Sequence, residues 1–141
     1  MKSGRYRSTA GTGDDGYRYA FEQVVAPAVE RFRPDFILAS AGQDAAATDP
    51  HGRMSATTEG FRRLARETNR LADALCGGRV AAFLEGGYSL DHLPLCNLAV
   101  VEELAGLVPS LERDPIEIDV PVRLGDDAKR AVDSARSAAR L

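Results

Sequence analysis

Cysteine is scarce: Cys76 and Cys96 are the only two in a chain of 141 residues, and neither belongs to a Cys-x-x-Cys pair. That scarcity excludes a disulfide framework and a thiolate metal cluster, and it suits reduced thiols in the cytosol. A surplus of one charge is missing as well. Eighteen basic and 21 acidic residues are intermixed, for a formal net charge of -3, so neither nucleic acid nor an anionic membrane is an expected partner. No apolar run approaches the roughly 18 residues that a membrane span needs. The first ten residues, MKSGRYRSTA, hold no apolar stretch that could serve as a signal peptide. The expectation is a soluble, cytoplasmic chain. Internal repeats and low-complexity tracts are lacking too. What is there is ordinary globular composition, 44% apolar, at a length that suits one domain with a real core.

Apolar periodicity divides the chain. The opening, rich in Gly, Ser, Thr and Asp up to Gly16, reads as loop. Tyr17, Phe21, Val24, Ala28 and Phe32 then recur at helical spacing, and Pro27 should kink or split that helix. Phe36 to Ala41 is a short run, apolar on both faces, as in a central parallel strand. A longer stripe follows (Phe61, Leu64, Ala65, Thr68, Leu71, Ala72, Leu75), capped by Thr57 or Thr58 and ended by Gly77-Gly78. Val80 to Leu84 is a second apolar strand. Ser89 is placed to cap a further helix carrying Leu90, Leu93, Leu98, Val101 and Leu104. Residues 109–141 read as a peripheral tail, with an alternating IEIDV stretch and a thin terminal helix from Asp126 bearing Ala128, Val132, Ala135 and Ala139. The sum is one α/β unit with a parallel sheet, followed by that tail.

In a parallel α/β sheet, ligands bind beyond the carboxyl ends of the strands. Two loops qualify: Gly42, Gln43, Asp44, Asp49 and His51 after the first strand, and Gly86, Gly87 and Tyr88 after the second. A carboxylate that binds metal, paired with a phenol on a turn that brings backbone close, is one way to polarise an amide or ester carbonyl. The bland alternative is that these are turn formers, as Asp, Gly and Pro commonly are, and spacing by itself leaves both open. Asp49 before Pro50 reads as an Asx-turn residue, and His51 as an exposed loop residue. His92 and Cys96, one helical turn apart, could face one ligand but lack a third partner; a surface histidine and a packed cysteine are the expected roles. Gly11 to Asp15 has neither the lysine nor the preceding strand of a phosphate loop.

Three stretches, GTGDDGYRYAFEQVVAPAVERF, FRPDFILASAGQDAAATDPHGRMSATTEGF and GGRVAAFLEGGYSL, occur in this order. From about Gly11 to about Leu107 the chain closely resembles the histone deacetylase and acetylpolyamine amidohydrolase family. The resemblance implies the three-layer, parallel-sheet α/β fold of the arginase and deacetylase type, of which this is the carboxyl-terminal part. It also implies a zinc-dependent amidohydrolase that releases acetate from acetyl-lysine, acetylpolyamine or a related acyl amide. The family's Ser-Ala-Gly-Phe-Asp-Ala motif would make Asp44 one of three protein ligands to zinc, with Gln43 in the place of the usual aromatic. Its Glu-Gly-Gly-Tyr motif falls on Glu85 to Tyr88 and would make Tyr88 the donor to the substrate carbonyl. The family's other two zinc ligands, in an Asp-x-His motif, and its His-His acid/base dyad lie upstream of the matched region and have no counterpart in suitable context here. The chain is therefore expected to be half of a deacetylase domain, through truncation, gene splitting or a mis-assigned start. Such a half should be inactive alone, and should self-associate or take a partner chain that supplies the rest. The alternative is a non-catalytic remnant or an interaction module that completes a sheet with another chain.

Overall fold

A computed structural model describes residues 10–111, 114–116 and 124–141; the leading segment 1–9 and most of the IEIDV stretch lie outside them. The elements run α1 (Asp14–Ala20), a π-helical segment (Phe21–Val25), α2 (Ala26–Phe32), β1 (Ile37–Ala41), α3 (Thr58–Cys76), β2 (Val80–Leu84), α4 (Leu93–Leu104) and α5 (Asp126–Ala139).

The strands β1 and β2 pair in parallel, Ile37 opposite Val80 through Ala41 opposite Leu84, and α3 is the crossover between them. The result is α/β, as the short apolar runs implied. The pairing continues past both strands: Glu85 N donates to Ala41 O at 3.3 Å and Gln43 N to Gly86 O at 2.8 Å. The two loops beyond the strands therefore leave the sheet side by side.

Thr57 caps α3, its side chain accepting from Gly60 N, and Gly77 closes it at φ 61°. There a side chain would be strained and glycine is not. A second anchor at this start is Asp14, which accepts from Thr57 N at 2.9 Å and Thr57 Oγ1 at 2.6 Å, a carboxylate at the positive end of a helix. Leu71 and Ala72 face inward and are buried. The crossover helix packs on α4 through a buried ion pair, Arg62 Nη2 to Glu102 Oε2 at 2.8 Å, and through Asn69 Nδ2 donating to Glu103 O at 2.6 Å.

Three expectations change. Pro27, expected to kink or split a continuous helix, meets one already divided by the π-helical segment Phe21–Val25. It sits at the start of α2 directly after the π-helical segment, and the backbone stays right-handed helical at Ala20, Val25 and Ala26. A wide turn moves the carbonyls ahead of Pro27 off the usual four-residue spacing, which is where the pyrrolidine ring would clash. Ser89 does not cap α4. That helix starts at Leu93 with Pro94 in its first turn, because the Ser89 hydroxyl is turned to Thr48 Oγ1, 3.0 Å away. His92 is no surface residue: it is fully buried. Its Nδ1 lies 3.0 Å from Thr48 Oγ1 and its Nε2 3.1 Å from Thr58 Oγ1, so both ring nitrogens have partners and burial is tolerated.

The terminal helix α5 docks on the first helical run. Ala128 and Val132 are buried, and Tyr19 Oη donates to Asp133 Oδ1 at 2.7 Å.

Candidate active-site loops

The two loops at the carboxyl ends of β1 and β2 meet through their glycines. A Cβ added at Gly42 would lie 2.8 Å from Asp44 Oδ1, and one at Gly86 3.2 Å from Asp44 Cγ. The missing side chains at 42 and 86 thus make room for the Asp44 carboxylate. Gly87 adopts φ +122°, and a Cβ there would come within 2.7 Å of Leu93 Cδ1 and 3.0 Å of Gln43 Cβ. Only glycine satisfies both the backbone angle and the space.

Gln43 is buried. With its amide nitrogen turned to the carbonyls, it donates to Ala41 O at 2.7 Å and to Gly86 O at 3.3 Å. It therefore staples one loop to the other from beneath. Asp44, next in the chain, is exposed.

Residues 45–56 fold back on themselves, with Ala47 N donating to Ala56 O and Ala56 N to Ala45 O. Ala46 and Ala56 are buried against Phe61 and Cys96. Asp49 makes the Asx turn that its place before Pro50 suggests: its Oδ1 accepts from His51 N at 2.9 Å and Gly52 N at 3.0 Å. Its Oδ2 does something the local sequence does not signal, accepting from Tyr88 N on the other loop at 2.6 Å. Burial works to raise the pKa of this carboxyl, but the N–H groups of Tyr88, His51 and Gly52 outweigh it and hold it below the usual range.

A cleft of about 770 Å³ runs between the inner face of the sheet and the helices, and Asp44, Gln43, Gly86 and Tyr88 line it where the strands end. The Tyr88 ring is 55% exposed, its hydroxyl has no hydrogen-bond partner among the described residues, and its ring meets the His51 ring edge to face, 5.0 Å between centroids and 86° between planes. A carboxylate and a free phenol thus share one cleft, on loops braced against each other by Gln43 and Asp49.

The donor set for a metal is incomplete. A catalytic zinc site takes three protein ligands, and among the described residues no group of three His, Cys, Asp or Glu side chains could hold a metal ion. Asp49-Pro50-His51 has the order Asp-x-His, but the Asp49 carboxylate is occupied by three N–H donors. His92 is sealed between threonines. Cys96 is fully buried beside Thr58, and that burial pushes its thiol up to about 12. Asp44 is one donor; the residues present do not complete a zinc site.

The sequence matches the family model "Histone deacetylase domain" over residues 5–104. It is 44% identical over 106 residues to a histone deacetylase-like amidohydrolase of Pseudomonas aeruginosa, covering 75% of this chain and 28% of that protein. It is 41% identical over 106 residues to a probable deacetylase of Archaeoglobus fulgidus, covering 74% and 30%. Among solved structures, that titled "Crystal Structure of HDA15 HD domain" superposes with a TM-score of 0.73 at 31% identity, over 92% of this chain and 32% of that one. The histone deacetylase Clr3 superposes with a TM-score of 0.74 at 32% identity, over 90% and 20%. The chain spans less than a third of the length of these relatives.

Proposed function

This chain belongs to the histone deacetylase family, and we propose from that premise that it forms the carboxyl-terminal part of a deacetylase active site acting on an acetylated amine. The observation that carries the reading is the pairing of the Asp44 carboxylate with the free Tyr88 phenol in one cleft, on braced loops at the ends of adjacent parallel strands.

In this reading Tyr88 donates its hydroxyl to the acyl carbonyl oxygen and holds that hydrogen bond as the oxygen gains charge during attack by water. Preorganised donors of this kind act where charge develops and need no reorganisation. The loop brace matters for the same reason, since a misplaced donor loses its advantage. Asp44 would be one ligand to a zinc ion supplying Lewis-acid chemistry, and the other ligands would have to come from protein outside the described residues. The base that accepts the proton of water comes from there too, because neither histidine of this chain is placed for it. Acetyl-lysine, acetylpolyamine and related acyl amides all fit this chemistry, and relatives of both kinds are similar to the chain: histone deacetylases, and a polyamine deacetylase of Mus musculus at 42% identity over 96 residues. We place the chain in the cytoplasm, with neither nucleic acid nor membrane as a partner.

An interaction module that completes a sheet with another chain is favoured by one observation. Leu38 and Phe83, on the outward face of the two strands, are 69% and 57% exposed. The two readings are compatible, because a partner covering that face could also bring the missing ligands.

Zinc calorimetry on the full chain, with Asp44→Ala beside it, tests the reading. Weak or no binding is expected from the chain alone. Adding a separately produced amino-terminal segment of the Pseudomonas aeruginosa relative should produce zinc binding and acetyl-lysine hydrolysis, both lost in Asp44→Ala. Tight one-to-one binding by the chain alone that Asp44→Ala leaves intact would overturn the assignment.

A further inference from the structure

We infer that Asp49 is a positioning residue for Tyr88, holding the backbone of the phenol-bearing loop while its neighbour His51 holds the ring. The inference rests on the reading of Tyr88 as the donor to the substrate carbonyl, but its evidence is geometric.

The two oxygens of Asp49 divide the work. Oδ1 serves its own loop through His51 N and Gly52 N, which is all that an Asx turn requires. Oδ2 crosses to the second loop and takes Tyr88 N at 2.6 Å, a bond the turn does not need. Such a tether has a task at this place. Tyr88 follows two glycines, which impose little conformational preference, and its ring is more than half exposed, so neither local propensity nor burial would fix it. A charged acceptor makes a stronger hydrogen bond than a neutral one, and Asp49 is itself buried. The segment that tethers the backbone also carries His51, whose ring stands against Tyr88 at 86°. Thr48, on the other side of Asp49, meets Ser89 Oγ at 3.0 Å. Residues 48, 49 and 51 thus fasten the chain at 88 and 89, and the Tyr88 hydroxyl is left free.

The substitution Asp49→Asn separates the two roles. An asparagine oxygen can still accept from His51 N and Gly52 N, while its NH2 group would face Tyr88 N, donor against donor. In the isotope-labelled full chain, exchange of the Tyr88 amide hydrogen should accelerate roughly 10- to 100-fold, the loss of one hydrogen bond to a charged acceptor. The Tyr88 ring resonances should move toward unstructured values, while the His51 and Gly52 amides keep their protection. A folded Asp49→Asn chain with unchanged Tyr88 amide and ring signals would overturn the inference. Should the variant fail to fold, the unsubstituted chain decides: a scalar coupling across the bond from Tyr88 nitrogen to the Asp49 carboxyl carbon supports the tether, and a Tyr88 amide exchanging at the solvent rate with no coupling refutes it. These readouts need no activity, so they separate from the functional reading. A protected Tyr88 amide, together with hydrolysis in the assembled enzyme that Tyr88→Phe leaves undiminished, would remove Tyr88 from the chemistry and leave the tether standing.

Discussion

Gly87 shows how much of this site rests on atoms that are missing. Its φ of +122° and the 2.7 Å approach that a Cβ would make to Leu93 Cδ1 mean that Gly87→Ala should destabilise the fold by about 1–3 kcal/mol, the usual cost of a side chain in a sparsely populated backbone region. Thermal unfolding measures this, and an unchanged melting temperature would show that the loop relaxes freely. Gln43 carries the complementary lesson. In the sequence it stands in the place of the family motif's usual aromatic; in the fold its amide is spent on Ala41 O and Gly86 O, stapling the two loops that carry Asp44 and Tyr88. Asp49 and His92 were legible only in part. An aspartate before proline signals a turn, but no local pattern signals that its second oxygen reaches Tyr88. A histidine in a helix's first turn reads as exposed until two threonines distant in sequence are seen to close over it.

Helices α3 and α4 are joined by polar groups that burial makes demanding. Glu102 accepts from Ser110 N and Oγ and from Arg62, and the Ser110 hydroxyl and N–H and the Arg62 guanidinium draw its pKa from 4.5 down to about 2. Because the folded value lies below the free one, the stability this carboxylate contributes is fully present above pH 4.5 and is lost as pH falls toward 2. Comparing Glu102→Gln with the unsubstituted chain tests this. The substituted chain should melt lower by a constant margin near neutral pH, and the margin should shrink steadily below pH 4.5. A margin that does not change with acidification would remove Glu102 as its source. At this scale the sequence was most informative: α3, with a cap at Thr57 or Thr58 and a stop at Gly77-Gly78, was legible from apolar spacing and capping chemistry, as were both strands, and the fold chose Thr57. The start of α4 was not, because Ser89 had two uses for its hydroxyl and the more distant one, Thr48, prevailed.

At the scale of the molecule, the sheet of the described residues has two strands. They pair with each other, and Leu38 and Phe83 stand exposed on their outward face, while Leu84 is 58% exposed at the end of β2. Apolar surface of this kind marks an interface or an association hazard, and each strand has an edge left unpaired within the described residues. Sedimentation velocity should show association that grows with concentration, and Leu38→Lys combined with Phe83→Glu should suppress it without lowering the helical circular dichroism signal. A monomer at all concentrations before substitution would argue against a partner-seeking face.

The sequence by itself determined the family, through the resemblance of its motifs, and it put Asp44 and Tyr88 forward as the residues that resemblance implies. The parallel α/β character follows from local apolar spacing, which acts over a few residues. Only the tertiary structure decided that Gln43 is a staple, that Asp49 tethers Tyr88, that His92 is sealed between Thr48 and Thr58, and that the outward sheet face is uncovered. Each of those depends on groups far apart in the chain meeting at hydrogen-bond or van der Waals distance, and periodicity carries no record of such meetings.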